Sequence, residues 1–158
     1  MALIIAYVVN VVLAGLLTGN EFGSWAIVHR GLANLPLSNR IQAEQALTRR
    51  YGGIMPGFMS LTIASFLPVL LLTRDWSSPA FRFGVAGMLA YVAMLAVTLI
   101  GNVPINNQLL GLTADPVSGD EFEALRDRWD RLHTIRNVLN IAGLILAVLA
   151  AVSGSRSR

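Results

Sequence analysis

The chain has 158 residues, of which 54% are hydrophobic and 13% are charged. This charged fraction is too small to cover the surface of an ordinary soluble domain, so the composition predicts an integral membrane protein. All 12 basic residues are arginine, and the absence of cysteine excludes disulfides, thiolate nucleophiles and cysteine-ligated metals. Because the arginines are scattered and not interleaved with aromatic residues, the sequence predicts no nucleic-acid partner.

Four apolar runs are each long enough to cross a bilayer, which takes about 20 helical residues. The spans are predicted near residues 4–28, 54–73, 83–102 and 135–152. The short connections between them favour an up-down-up-down arrangement. We therefore predict an all-α fold, an antiparallel four-helix transmembrane bundle, as a single domain over residues 1–152 with a disordered tail over residues 153–158.

The first helix is expected from about Ala2 to Val28, and it has glycine at every fourth position at Gly15, Gly19 and Gly23. Such a ridge lets two helix backbones approach closely in lipid, so this face predicts a homo-oligomer contact. The apolar run follows no positively charged segment and ends without a small-residue cleavage site, so no cleaved signal peptide is expected.

A polar segment follows, in which Asn39–Arg50 is predicted to form a short amphipathic helix at the membrane surface between the first and second spans. Ile41 and Leu47 supply its apolar side, while Glu44 and the neighbouring arginines are expected to remain solvated. This helix is expected to roof a pocket, with Gln42 pointing towards it.

Prolines mark the second and third spans. Pro56 lies near the expected start of the second span, where a missing N–H costs little, and Pro68 lies late enough to kink it. Pro104 follows the third span and deprives the carbonyl of Ile100 of its helical donor, so nearby amides or water must satisfy that carbonyl.

The last helix is expected to begin at a capping box formed by Ser118 and Glu121 and to end near Val152. Such a helix is roughly 50 Å long at 1.5 Å per residue, so its first half must lie outside the lipid or face protein. With four spans, both termini lie on the side of the connection near Trp76. The opposite side has 8 of the arginines, and the side with the termini has 4. For a protein of the cell membrane, the positive-inside rule then places the termini on the non-cytoplasmic side.

A polar stripe on the last helix runs into the membrane. Arg126, Trp129, His133, Arg136 and Asn140 follow one another at spacings of three and four, within an arc of about 80°. Arginine at mid-bilayer costs about 2.5 to 3.5 kcal/mol, so the stripe should face the interior of the bundle. His133 stands between two arginines that disfavour its protonated form, which suits it to act as a base.

Two other helices have shorter polar stripes near the same membrane boundary. The residues are Glu21, Trp25 and His29 on the first helix and Thr98, Asn102 and Asn106 on the third. Antiparallel helices reach this boundary at the ends where these residues lie. Connectivity therefore predicts that the three stripes converge, provided that their faces turn inward.

Each of these residues also has a purely structural interpretation. Glu21 would form a structural ion pair with Arg126 or Arg136, since charges within a membrane are seldom left alone. The asparagines would satisfy the backbone at Pro104, and the tryptophans would anchor the helices at the interface. His29 begins a polar loop, which favours a surface position.

At these positions the chain resembles a family of small four-helix membrane proteins that includes the anthrone oxygenases of aromatic polyketide pathways. The matching features span nearly the whole chain in order, and they are Gly23-Ser24-Trp25, Gln42, Met55-Pro56-Gly57-Phe58-Met59, Asn102-Val103-Pro104-Ile105-Asn106 and Arg128-Trp129-Asp130-Arg131-Leu132-His133-Thr134-Ile135-Arg136. The V-P-x-N element followed by W-x-x-x-H-x-x-R is the more specific part, and the proline and glycine features are weaker.

The resemblance implies a membrane oxygenase that oxidises a hydrophobic aromatic substrate with dioxygen, with Asn106, Trp129, His133 and Arg136 in the site. In the corresponding mechanism His133 removes an acidic C–H proton as general base. Asn106 and Arg136 stabilise the enolate, which itself reduces dioxygen. The remaining substrate-binding residues are expected to be Trp25, Arg126, Glu21, Asn102, Asn140 and Gln42.

No cofactor is predicted beyond dioxygen as co-substrate, although a haem or metal held through His133 and His29 stays open as an alternative. The expected partners are the lipid bilayer and a hydrophobic small molecule. The competing function is a non-enzymatic membrane subunit, or a protein that binds a small molecule or haem, and a polar stripe packed without a cavity would favour it. A proton-coupled transporter using Glu21 is disfavoured because the sequence has no inverted repeat.

Overall fold

The structure is a computed structural model that describes residues 1–112 and 119–156, the last without its side chain. It contains four long helices, and no strand occurs within the described residues. We name them α1 (Ala2–Leu32), α2 (Leu37–Leu72), α3 (Pro79–Gly111) and α4 (Gly119–Arg156). Each is long and apolar enough to cross a membrane, which confirms the predicted all-α fold with four candidate spans.

Contacts at both ends of the molecule show that consecutive helices run antiparallel. Near the start of α1, the Tyr7 hydroxyl lies 3.5 Å from Thr73, directly after α2. Near the end of α1, His29 contacts Glu44 in the first part of α2. The other contacts that define the direction of α3 and α4 are Thr18 with Tyr91, Thr18 with Asn140 and Asn106 with Trp129.

The centre of the bundle is closed by a tyrosine on α3 packed against a glycine on α4. A Cβ atom at Gly143 would lie 2.6 Å from the ring of Tyr91, so only glycine permits this approach. The Tyr91 hydroxyl is 2.9 Å from that of Thr18 and also donates to the carbonyl of Ala14 at 3.2 Å. This region is a tightly packed core, and the more open part of the bundle lies nearer the ends of α1 and α3.

Helix α2 is longer than expected because the predicted surface helix is not a separate element. Asn39–Arg50 is helical, but the helix continues without interruption from Leu37 to Ala64, with Pro56 in its interior. The helix is broken instead at Ser65, three residues before Pro68, in agreement with the kink expected from that proline. The first part of α2 is therefore held in line with the apolar part of the same helix.

Helices α1 and α3 each contain one turn of π-helix, at Ser24–Val28 and Thr98–Asn102. In each turn a backbone N–H reaches back five residues, from His29 to Ser24 and from Val103 to Thr98. Because the turn in α3 lies directly before Pro104, it carries the helix past the missing N–H, and α3 extends to Gly111 instead of ending near residue 102. Likewise, α1 continues beyond Val28 to Leu32.

The connection between α2 and α3 is stabilised by local hydrogen bonds. Asp75 accepts hydrogen bonds from the hydroxyl and the backbone N–H of Ser77, and these bonds hold the pKa of Asp75 below its usual value. Ser78 caps α3 by accepting a hydrogen bond from the N–H of Phe81, and Pro79 occupies the first turn, where its missing N–H costs little.

Two predictions concern the ends of α4. Ser118 of the expected capping box lies outside the described residues, and the helix is observed from Gly119. At the other end residues 153–156 are helical, so the predicted disordered tail does not begin at residue 153. The helix continues because its last turns pack against α1, where Gly154 contacts Tyr7.

The glycine ridge of α1 faces away from the other helices. A Cβ atom added at Gly15, Gly19 or Gly23 would have no atom within 4 Å. The ridge thus has no role in packing this chain's own helices, and the homo-oligomer contact stays a prediction.

Candidate active site

A cavity of about 110 Å³ lies between the four helices, at the level of the two π turns. Its wall is mostly apolar, and its apolar residues include Leu47, Met55, Met59, Leu95, Leu99 and Val103. Polar side chains from α1, α3 and α4 complete the wall, and they are Glu21, Ser24, His29, Thr98, Asn106, His133 and Arg136. Most of the predicted polar stripes therefore meet at a real cavity, as their position on antiparallel helices predicted.

The polar wall is centred on a carboxylate that bridges a histidine and an arginine. The carboxylate of Glu21 accepts hydrogen bonds from Nε2 of His133 at 3.0 Å and from Nη2 of Arg136 at 2.6 Å. All three residues are buried. Burying a charge without a partner is costly, so the ion pair between Glu21 and Arg136 makes this arrangement tenable within the bundle. Of the two arginines considered for Glu21, it is Arg136 that pairs with it.

This arrangement fixes the orientation of His133. A carboxylate only accepts hydrogen bonds, so Nε2 of His133 must donate the proton in its bond to Glu21. Nδ1 of His133 has no hydrogen-bond partner among the described residues. A neutral imidazole with its proton on Nε2 has a lone pair on Nδ1, which makes Nδ1 the atom that can accept a proton.

Trp129 forms the boundary beside His133 and is held by two asparagines of α3. Its indole N–H donates to Oδ1 of Asn106 at 2.7 Å, and its carbonyl accepts from Nδ2 of Asn102 at 3.3 Å. The ring centroids of Trp129 and His133 are 4.3 Å apart. The asparagines thus position Trp129, which is a different role from satisfying the backbone at Pro104.

The first part of α2 covers the cavity, as predicted, but two of its residues lie differently from expectation. Leu47 and Tyr51 line the cavity, whereas Gln42 is exposed and does not line it. Glu44, expected in solvent, is fully buried. Positions 44, 47 and 51 follow the helical repeat, and Gln42 lies about 200° from Glu44 on the same helix. The sequence suggested an exposed position for Glu44 because the residue is charged. Its buried partners, His29 and Arg126, are on other helices and could not be identified from this segment.

His29 was expected at the surface, and the structure contradicts this. Its side chain is 9% exposed, its Nδ1 lies 2.9 Å from Oε2 of Glu44, and its ring centroid lies 4.6 Å from that of Trp129. In a regular α-helix Val28, four residues after Ser24, would face the cavity. The π turn places His29 there instead, five residues after Ser24. A local change of helix type leaves no clear signal in the sequence.

Trp25, which lies within the same π turn, does not line the cavity. Its indole N–H donates to the hydroxyl of Thr134 at 3.1 Å, and the guanidinium of Arg30 lies 4.9 Å from its ring. The expectation that Trp25 contributes to the pocket wall is therefore wrong. It lies beside α4 on the outer side of the helix pair, where Thr134 and Arg30 are its partners.

Three other predicted binding residues are buried near the cavity without forming its wall. Arg126 lies 4.4 Å from the ring centroid of Trp129 and pairs with Glu44 and Asp130. The other two are Asn102 and Asn140, both fully buried. Arg126 therefore contacts both Trp129 and Glu44, and Asn102 donates a hydrogen bond to the backbone of Trp129. The side-chain amide of Asn140 has no hydrogen-bond partner among the described residues, although the backbone carbonyl of Asn140 accepts a hydrogen bond from the hydroxyl of Thr18.

The described residues contain no group of three or more His, Cys, Asp or Glu side chains arranged to hold a metal ion. The two histidines approach each other, with ring centroids 6.0 Å apart, but each is paired with its own glutamate. The arrangement provides proton-accepting and proton-donating groups beside an apolar cavity.

Comparison with known proteins links this arrangement to one family. The family model described as anthrone oxygenase matches residues 45–146. The chain is also 28% identical over 121 residues to an anthrone oxygenase from Claviceps purpurea (strain 20.1), an alignment that covers 72% of this chain and 69% of that protein. No solved structure gives a match. The matched region includes most of α2, all of α3 and the part of α4 with Trp129, His133 and Arg136. The chain therefore belongs to the anthrone oxygenase family.

Proposed function

We propose that this protein is a membrane-embedded oxygenase that uses dioxygen to convert the methylene group of a hydrophobic, anthrone-like aromatic substrate into a carbonyl group. His133 is the general base. Asn106 binds the oxygen of the enolate, and Glu21 and Arg136 hold His133 in position. Family membership supports the class of reaction, and the arrangement around His133 supports the assignment of roles.

The observation that carries the proposal is the free Nδ1 of His133 beside an apolar cavity. A general base needs a lone pair, a fixed ring and access to the substrate. Glu21 fixes the ring through Nε2, and Arg136 compensates the charge of Glu21. Arg136 therefore acts on the site mainly through Glu21, since its own charge is already paired.

The reaction can proceed without a redox cofactor because the substrate supplies the electrons. Nδ1 of His133 takes one methylene proton, and the electron pair of the C–H bond moves into the enolate. The Nδ2 amide group of Asn106 takes no part in the bond to Trp129 and is the donor available to the enolate oxygen. One electron then passes to dioxygen, and the two radicals combine to form the C–O bond of a peroxide.

Breakdown of the peroxide completes the oxidation. Loss of the second proton from the same carbon forms the C=O bond as the O–O bond breaks, and the departing hydroxide takes up a proton to become water. In sum, one methylene group and one dioxygen yield one carbonyl group and one water. Two protons leave carbon and two arrive on oxygen, so the site must both accept and donate protons.

The cavity is smaller than the roughly 300–1,000 Å³ that is usual for ligand pockets, so a tricyclic substrate would extend beyond it. Its wall includes Gly52, Pro56 and Leu99, which are exposed on the outside of α2 and α3. In a membrane these residues would face lipid, into which an aromatic tricycle partitions. We expect such a substrate to enter from the bilayer, between α2 and α3.

The competing function was a non-enzymatic subunit with a solidly packed polar stripe. A cavity beside His133 argues for a bound small molecule instead. Haem binding remains the alternative small-molecule function, and an absorption spectrum together with metal analysis of the purified protein distinguishes it from the proposed oxygenase.

The direct test is quinone formation from anthrone by the purified protein in lipid nanodiscs, with ¹⁸O₂ as the oxygen source. We expect one labelled oxygen in the product carbonyl. His133→Gln should lower the rate about 100- to 10,000-fold, the usual effect of removing a general base, while the melting temperature changes little. Glu123→Gln, an exposed position on α4, is the matched control.

Two results would contradict the proposal. One is wild-type protein that binds anthrone without accelerating its oxidation, which would support the small-molecule binder. The other is His133→Gln with a rate near that of the wild type, which would remove His133 from its role as base.

A further inference from the structure

The site contains a second histidine with the same kinds of partners as His133. Nδ1 of His29 lies 2.9 Å from Oε2 of Glu44, and Nη1 of Arg126 lies 3.4 Å from the same oxygen. Glu44 is fully buried and Arg126 is nearly so. A histidine, a glutamate and an arginine from three helices therefore form a second unit beside the one that contains Glu21.

Both histidines face the same cavity and contact the same tryptophan. The ring centroid of Trp129 is 4.6 Å from that of His29 and 4.3 Å from that of His133. The two imidazoles are 6.0 Å apart and nearly perpendicular, at 83°. At this separation the ring nitrogens are too far apart for a direct hydrogen bond, so a proton would pass between them through a water molecule.

The two units differ in how their glutamates are compensated. Arg136 donates to Glu21 at 2.6 Å, so that carboxylate has a cation of its own. Arg126 lies farther from Glu44, at 3.4 Å, and also donates to Asp130 at 3.1 Å. Neither carboxylate oxygen of Glu44 has a partner in hydrogen-bonding geometry among the described residues. A proton on His29 would supply the counter-charge that the shared arginine provides only in part.

We propose that His29, whose Nδ1 lies beside the carboxylate of Glu44, is the acid of this site and delivers protons to the oxygen atoms of the reaction, while His133 removes protons from carbon. This inference rests on the proposed oxygenase function and assigns a partner to its base. It also gives catalytic and positioning roles to His29 and Glu44, neither of which is among the site residues that the family resemblance implies.

The proton balance follows from the reaction. His133 takes the first proton from carbon, and His29 protonates the peroxide anion that forms when the enolate combines with dioxygen. The proton then passes from His133 to His29, which restores both residues. His133 takes the second proton from carbon, the O–O bond breaks, and His29 protonates the departing hydroxide to give water. A final transfer between the imidazoles returns the site to its starting state.

The experiment separates the two half-reactions. Without oxygen, the base alone should exchange the methylene hydrogens of anthrone with deuterium from D₂O. With oxygen, both residues are needed to form the quinone. We expect His29→Gln to retain exchange within about threefold of the wild type while quinone formation falls about 100-fold and a substrate hydroperoxide accumulates. His133→Gln should lose both reactions.

Glu44→Gln provides a second variant, with Glu123→Gln on the exposed surface as its matched control. We expect Glu44→Gln to reproduce the hydroperoxide accumulation of His29→Gln. The wild-type protein provides a measurement that does not depend on variants. Because the chain has only 2 histidines, ¹⁵N-histidine spectra should show one ring with protons on both nitrogens and one ring with a single proton.

The outcomes separate a failure of the proposed oxygenase function from a failure of the acid assignment of His29. Wild-type protein that neither exchanges nor oxidises anthrone contradicts the proposed function itself. If the wild type is active, quinone formation at the wild-type rate by His29→Gln overturns the acid assignment alone. The same holds if a folded His29→Gln loses exchange and oxidation equally, or if both imidazoles of the wild type have a single proton.

Discussion

At the scale of single residues, Asn106 links the position of Trp129 to the proposed chemistry. Its Oδ1 accepts the indole N–H at 2.7 Å, and its Nδ2 remains as a donor for the cavity. One side chain therefore has two roles that a substitution can separate, because aspartate retains the acceptor and lacks the donor.

We predict that Asn106→Asp keeps Trp129 in place but lowers quinone formation about 100- to 1,000-fold, the usual effect of losing one oxyanion donor. The added negative charge would also oppose the enolate. Asn107→Asp, at the exposed neighbouring position, is the control and should remain near the wild-type rate. Steady-state rates and indole fluorescence are the measurements. An active Asn106→Asp protein would show that Asn106 only positions Trp129.

At the scale of secondary-structure elements, the two π turns determine which residues reach the cavity. The turn in α1 places His29 at the cavity and beside Glu44. The turn in α3 precedes Pro104, whose missing N–H removes one hydrogen bond of the regular α-helical pattern there. Such turns are frequent at functional sites because they reorient side chains within an otherwise regular helix.

Replacing Pro104 tests this view of α3. Pro104→Ala restores the N–H and permits a regular helix, which would rotate Asn106 relative to Trp129. We predict an unchanged or higher melting temperature together with at least a 10-fold loss of quinone formation, because a small displacement from the productive geometry is costly. Pro68→Ala, at the distant kink of α2, should keep its activity. Full activity of Pro104→Ala would mean that the π turn does not position the site.

At the scale of the whole molecule, the antiparallel bundle brings the polar end of each helix to one level. Residues far apart in sequence, such as Glu21 and His133, become neighbours because α1 and α4 run in opposite directions. The exposed apolar surfaces of α1 to α4 would face lipid, and the first part of α2 would project beyond it with the start of α4.

The predicted topology can be tested by labelling, because the chain has no cysteine. We predict that cysteines introduced at Ala2 and at Trp76 react from the outside of the cell membrane, whereas a cysteine at the exposed Gln42 reacts from the cytoplasm. An impermeant thiol reagent applied to intact cells and to inverted vesicles makes the measurement. Labelling of Gln42→Cys and Trp76→Cys from the same side would contradict a four-span topology.

The sequence by itself determined the four helices, their directions and the convergence of the polar stripes. Hydrophobic runs of sufficient length predict spans, and short connections make neighbouring spans antiparallel. The stripe of α4 also identified His133 and Arg136 correctly as cavity residues, because regular helical spacing predicts a shared face.

Only the tertiary structure decided the positions of His29, Trp25 and Glu44. His29 was expected at the surface because it begins a polar segment, but α1 continues through a π turn that keeps it at the cavity, whereas Trp25 of the same stripe bonds to Thr134 instead. Glu44 was expected in solvent because it is charged, yet its partners, His29 and Arg126, come from other helices. A buried charge is stable only with such partners, and one segment of sequence cannot reveal partners that the folding of distant segments brings to it.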